Sequence, residues 1–135
     1  MQKARLGLLG CGRMGYHHGA NMAFRCPNIE LAGVYDPYPP AAEKAARDFG
    51  AKVFESEEAL ITSADLDGIV IVSSADMHCR QIIAAMEAGK HVFVEKPASA
   101  NLADLPLIYG AVKAHSECVF QMGYYKRYDE EYRYA

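Results

Sequence analysis

Gly10, Gly12 and Gly15 follow an apolar run in the stretch LLGCGRMGYHH, at the spacing G-x-G-x-x-G. Three glycines at this spacing suit a phosphate when they lie between a strand and a helix. The first permits a tight turn, the second lets the backbone approach a pyrophosphate with no Cβ in the way, and the third lets the helix pack closely on the strand. The intervening Cys11, Arg13 and Met14 belong to the same cradle, where free helix N–H groups and the positive dipole end meet the phosphates. A tight strand-to-helix corner without a ligand is the alternative. Asp36 discriminates, standing 21 positions after Gly15 at the end of a second apolar run, against the ~20 expected. A carboxylate there accepts hydrogen bonds from an adenosine ribose and repels a 2′-phosphate, which favours NAD over NADP. Its bland reading is a turn residue in DPYPP. A methyltransferase binding S-adenosylmethionine is the main competitor, and the G-x-G-x-x-G form favours the dinucleotide.

A second set of chemically capable residues comes later. Ser73 and Ser74 close the run GIVIVSS, where their hydroxyls line a cleft or where Ser74 or Asp76 caps the next helix. Glu95, Lys96 and Pro97 close HVFVEKP. At the carboxyl end of a strand in an open α/β sheet, Glu95 and Lys96 point towards a ligand. A lysine there stabilises a developing alkoxide or relays a proton, as against a solvated surface cation. Pro97 fixes this turn, and a cis bond is one way to do so.

These residues need a scaffold that brings strand ends to one edge. Apolar runs at 4–9, 29–35, 52–54, 68–74, 91–97 and 118–125 read as strands. Helical stretches lie between them at about 13–24, 40–49, 57–64, 76–88 and 102–115, and a further helix begins at Asp129 as N-cap. Met77, Ile82, Ile83 and Met86 contribute much of the fourth helix's apolar face. Pro106 marks a late start or a kink in the fifth. Strict alternation predicts an α/β fold, a doubly wound parallel sheet with helices on both faces.

The 135 residues, 51% hydrophobic and 23% charged with a net charge of −3, suit one globular domain. The modest acidity argues against nucleic-acid and membrane-surface partners. Nothing at the start resembles a signal peptide, so the expected location is cytoplasmic. Cys11, Cys26, Cys79 and Cys118 form no C-x-x-C pair and read as buried reduced thiols. His17 and His18 are adjacent, hence about 100° apart on a helix, and make a poor chelate. No metal is expected.

Taken together, LGLLGCGRMGYHHGANM, GVYDP, EAGKHVFVEKP and QMGYYKRYDEEY resemble the nucleotide-binding half of glucose-fructose oxidoreductase/inositol dehydrogenase-type (Gfo/Idh/MocA) enzymes. The similarity spans nearly the whole chain in order, and the last stretch looks most like the inositol dehydrogenase branch. The resemblance implies a Rossmann domain and NAD(P)-dependent hydride transfer at a hydroxyl-bearing carbon of a sugar, polyol or cyclitol. It maps onto Gly10, Gly12, Gly15, Asp36, Ser73, His78, Glu95, Lys96 and Pro97, with Lys96 near the nicotinamide and the reacting hydroxyl. His78 fits the family histidine opening the helix after strand four, beside a capping or packing role. Arg127 matches an arginine near the domain junction, or is a solvated cation beside Asp129 and Glu130. Tyr125 departs from the asparagine common there.

The family also implies a second, substrate-binding domain carrying an acid/base Asp and His, and this sequence does not contain it. The expected division is therefore a nucleotide-binding domain at 1–123 and the start of a junction at 124–135, with the chain alone catalytically incompetent. A stand-alone, non-catalytic dinucleotide-binding module for redox sensing or partner binding is the other reading. Tyr124, Tyr125, Tyr128, Tyr132 and Tyr134 crowd the end. Tyr128 and Tyr132, one helical turn apart, should share an exposed face suited to homo-oligomer or partner contacts.

Overall fold

The computed structural model describes residues 2–133. Six strands, β1 (Ala4–Leu9), β2 (Ile29–Tyr35), β3 (Lys52–Val53), β4 (Gly68–Ile71), β5 (His91–Glu95) and β6 (Phe120–Gly123), form one sheet in the order β3-β2-β1-β4-β5-β6. All five pairings are parallel. The helices α1 (Arg13–Phe24), α2 (Pro39–Phe49), α3 (Glu57–Thr62), α4 (Ala75–Glu87) and α5 (Leu105–Ala114) cross between strands. A 3₁₀ turn at Tyr125–Tyr128 and a short α6 (Glu130–Arg133) follow β6.

Strand alternation divides the core between two faces. Leu9, Ile69, Ile71, Val92 and Val94 pack with Leu60, Ile82 and Met86, whereas Leu8, Leu31, Val34 and Val70 pack with Met22, Ala42 and Ala45. Successive residues of one strand thus serve opposite layers, and central strands must be apolar throughout. All four residues of β4 are buried. Chain direction reverses its march across the sheet between β1 and β4, which opens a crevice at their carboxyl ends.

Local chemistry sets the helix limits. Ser56 Oγ accepts the Ala59 amide at 3.0 Å, and Glu57 and Glu58 occupy the first turn of α3, where the helix dipole favours acids. Pro39 and Pro40 open α2, and Gly50 closes it at φ +72°. Pro106 lies in the first turn of α5, preceded by a 3₁₀ turn at Leu102–Asp104, so it marks a late start rather than a kink. Asp129 Oδ1 accepts the Glu131 amide at 3.0 Å, as expected of an N-cap.

Several elements end earlier than the apolar runs suggest. The fourth strand stops at Ile71, the fifth at Glu95 and the sixth at Gly123, because the residues beyond turn away into loops at the sheet edge. On α4, Ile82 and Met86 are fully buried while Met77 and Ile83 are only half-buried. The polar His78 and Gln81 are buried on the same helix, beside Cys79 and Ala85. The expected shared face of Tyr128 and Tyr132 does not form. Tyr128 ends the 3₁₀ turn and Tyr132 lies in the separate α6, with Asp129 extended between them. Tyr124, Tyr125, Tyr128 and Tyr132 are exposed, as expected; Tyr134 lies outside the described residues. All four cysteines are free, but only Cys11 and Cys79 are buried. No described helix is long and apolar enough to cross a membrane.

Candidate functional site

The glycine corner separates three steric demands. Gly10 has φ +99°, and a Cβ there would meet backbone atoms of Val72 and Ser73 at 2.7 Å. The tip of β1 therefore lies directly against the tip of β4. A Cβ on Gly15 would stand 1.9 Å from the Gly10 carbonyl oxygen, so α1 leaves the corner at a distance only glycine allows. Gly12 is different: nothing lies within 4 Å of where its Cβ would be. The open space is available to a ligand rather than filled by the protein. The N-terminus of α1 carries no side-chain cap and no acid in its first turn. Uncapped amides beside an open backbone fit a pyrophosphate.

Asp36, half-buried just beyond β2, accepts the Cys11 amide on Oδ2 at 2.7 Å and the Tyr38 amide on Oδ1 at 2.8 Å. It is thus both a turn residue and a brace for the glycine loop, and each oxygen keeps a lone pair for a further donor. Cys11 is squeezed between this carboxylate and the core. Burial first, and the charge of Asp36 second, push its thiol up to about 12.

Gly10, Gly12, Asp36, Pro37, Ser73 and Ser74 line one cleft of about 600 Å³, whose outer wall comes from α3 and α4. A second cleft of about 540 Å³ adjoins it through the shared Val72 and Ser73. Met14, His78, Glu95, Lys96 and Tyr125 line this second space. The glycine corner, the carboxylate and the lysine therefore stand along one rim. Lys96 is exposed, and its ammonium makes no ion pair with any described residue. Arg127 lines a third hollow with Lys96 and Tyr125. It is exposed and makes no ion pair with Asp129 or Glu130. Arg13 and Ser74 are exposed at the mouth of the corner.

Other polar groups are engaged with one another. His78 is 1% exposed, with Nδ1 2.7 Å from the Pro97 carbonyl and Nε2 3.0 Å from the Ser73 carbonyl, so it ties the loop after β4 to the loop after β5. The Lys96–Pro97 bond between these groups is cis. Glu95 is turned towards α1, where His18 Nε2 lies 2.7 Å from its Oε1. Ser74 occupies the N-cap position of α4 without a side-chain bond, and the Ser73 hydroxyl donates to Gln81.

His18, Glu57, Met77, Arg80 and Gln81 escaped the sequence reading as site residues. His18 read as a helix histidine serving packing or hydrogen bonding, and its partner is 77 positions away. Glu57 and Arg80 lie on different helices, 23 positions apart. No local signal joins them.

Residues 4–124 match the model of the Gfo/Idh/MocA family, an oxidoreductase family with an NAD-binding Rossmann fold. The chain is 33% identical to scyllo-inositol 2-dehydrogenase (NAD(+)) of Bacillus subtilis, over 96% of this chain and 38% of that protein. It is likewise 33% identical to inositol 2-dehydrogenase 3 of Saccharopolyspora erythraea, with the same coverage. Among solved structures, scyllo-inositol dehydrogenase of Lactobacillus casei with bound NAD(H) and scyllo-inositol superposes with a TM-score of 0.94 at 32% identity. That match covers 98% of this chain and 39% of the other. The chain spans about two fifths of the length of these relatives.

Proposed function

This chain belongs to that oxidoreductase family, and on that premise we propose that it is the NAD-binding part of a dehydrogenase acting on a sugar, polyol or cyclitol hydroxyl. The observation that carries the reading is the shared rim. An open Gly12 with uncapped α1 amides, the Asp36 carboxylate and the unpaired Lys96 all border the crevice where β1 and β4 diverge. The likeness to inositol dehydrogenases, one of them with NAD(H) bound, supports it.

The amides of Arg13, Met14 and Gly15 at the start of α1 hold the pyrophosphate. Asp36 offers its remaining lone pairs to the adenosine ribose while still bracing Cys11. It opposes a 2′-phosphate, which favours NAD over NADP. Bound nicotinamide supplies the site that accepts or returns hydride. Lys96 projects where a substrate hydroxyl meets that site, and its ammonium stabilises oxygen as negative charge develops. His78 and Glu95 act by holding the backbone around Lys96.

Among the described residues lining the Lys96 cleft, neither the carboxylate nor the imidazole is free to complete proton transfer. Glu95 is taken by His18 and His78 by two carbonyls. Turnover on this reading needs groups outside this chain, and the relatives are more than twice as long. Residues 1–123 then form the nucleotide-binding domain, while 124–135, with Tyr125 and Arg127, begin the junction to a substrate domain. The exposed tyrosines there are the surface through which the protein associates with itself or that domain. Four free cysteines suit a reducing compartment, which supports a cytoplasmic location.

Titration of the purified chain with NADH, read by nicotinamide fluorescence, tests this function. Saturable binding that exceeds NADPH binding and falls in Asp36→Ala is expected. Absence of saturable binding at millimolar NADH rejects the nucleotide site, and equal affinity for NADPH rejects the assigned role of Asp36.

A further inference from the structure

Arg80 on α4 and Glu57 at the start of α3 are joined edge to edge across the outer wall of the first cleft. One guanidinium nitrogen donates to Glu57 Oε1 and another to Oε2 at 3.3 Å. The contact is anchored from behind. Gln81, 1% exposed, donates to Glu57 Oε2 at 2.7 Å and accepts from the Ser73 hydroxyl at the tip of β4. A continuous polar chain, Ser73–Gln81–Glu57–Arg80, thus runs from the middle of the rim to its outer end. A buried, fully paired amide such as Gln81 has little freedom to rearrange. Glu57, with an 18% exposed side chain, is held at two points, so the plane of the Arg80 guanidinium is fixed while its side chain stays 58% exposed.

Met77 precedes Arg80 by three positions on α4, one helical turn, and both line the cleft opposite Asp36 and Pro37. We propose that Met77 and the Arg80 guanidinium form the wall against which the adenine ring of the nucleotide lies, with Glu57 the residue that orients Arg80. This rests on the nucleotide reading above. Once Asp36 takes the ribose, the base attached to that ribose falls between Pro37 and α4. An arginine tied along its edge still offers a flat cationic face, which stacks on an aromatic ring. A thioether beside it adds soft, polarisable contact. The opposing possibility is that Arg80 binds phosphate. Its charge is already matched by Glu57, and Asp36 and Glu58 add two further carboxylates to the same cleft. That balance disfavours an anion at this end, while the phosphate-compatible amides sit at the other end, beside Gly12.

The experiment is isothermal titration of the whole chain with ADP-ribose, NADH and NADPH. Arg80→Ala should weaken ADP-ribose and NADH by about tenfold, a stacking-sized effect, counted per folded molecule because the mostly buried Glu57 carboxylate loses a partner and the thermal midpoint falls. Arg80→Lys should lose almost as much, because an ammonium has no face to stack. Met77→Ala should weaken both ligands by a few-fold. Glu57→Gln should weaken them too, but add little on top of Arg80→Ala, since it acts through that side chain; a purely structural role would give additive losses. If the unsubstituted chain binds neither ADP-ribose nor NADH, the nucleotide reading itself fails. If it binds them and Arg80→Ala matches it, this inference alone is overturned. Full affinity in Arg80→Lys, or a selective loss of NADPH in Arg80→Ala, assigns Arg80 to phosphate and also overturns it.

Discussion

His18 Nε2 in α1 lies 2.7 Å from Glu95 Oε1 at the tip of β5, and the other oxygen of that carboxylate accepts the Lys96 amide at 3.1 Å. The ring of His18 also packs on Phe93, 5.3 Å between centroids. With His78 holding the Pro97 carbonyl from α4, two histidines from opposite layers flank Lys96, one on the Glu95 side chain and one on the backbone. The Lys96 side chain is exposed and makes no ion pair with any described residue.

Removing one side of that grip should be measurable. His18→Ala leaves the mostly buried Glu95 carboxylate without its ring partner and should cost about 2 kcal/mol. Urea denaturation of the two proteins checks this. An unchanged midpoint would mean that solvent replaces His18 at no cost.

The glycine corner predicts a separation of stability from binding. Gly12→Ala meets no atom within 4 Å and keeps an ordinary backbone at φ −67°. It should leave stability within about 0.5 kcal/mol while weakening NADH by tenfold or more. Gly10→Ala, at φ +99° with backbone atoms 2.7 Å away, should destabilise the fold by at least about 2 kcal/mol. Paired denaturation and NADH titrations decide the matter. Normal binding in Gly12→Ala would show that no ligand approaches there.

Cys11 gives the alkaline limb of stability a specific source. Its thiol ordinarily loses its proton near 9.0, and burial together with Asp36 raises this to about 12 in the folded chain. The raised value means that the folded state holds the proton longer. The associated stability is complete below pH 9, declines as the unfolded chain ionises above it, and is gone by about pH 12. Denaturation midpoints between pH 8 and 10.5 should therefore fall in the parent chain and fall less steeply in Cys11→Ala. Parallel slopes would remove Cys11 from the account.

Lys90 anchors the fold from beneath the site. It is 8% exposed, and its ammonium donates to the Ser63 and Leu66 carbonyls at 2.6 and 2.7 Å. Lys90→Met keeps the stem and strands both acceptors, at a cost of about 3 kcal/mol. Thermal melting should show the loss with NADH affinity per folded molecule retained. A midpoint equal to the parent's would show that water reaches those carbonyls.

The sequence by itself determined the alternation of strands and helices, the glycine corner and the sheet edge that would carry chemistry. Those features are written in short-range periodicity and in residues whose backbone freedom acts locally. Gly10, Gly15 and Asp36 could be read because each answers to its own turn or strand end. The tertiary structure alone decided which polar side chains are spent on one another. His18 meets Glu95 across 77 positions, Arg80 meets Glu57 across 23, and His78 reaches Pro97 across 19. It also parted Tyr128 from Tyr132 by extending Asp129 between them. Parallel crossovers bring the ends of distant strands side by side, and a partner's identity then depends on side-chain reach and burial, which no local pattern records.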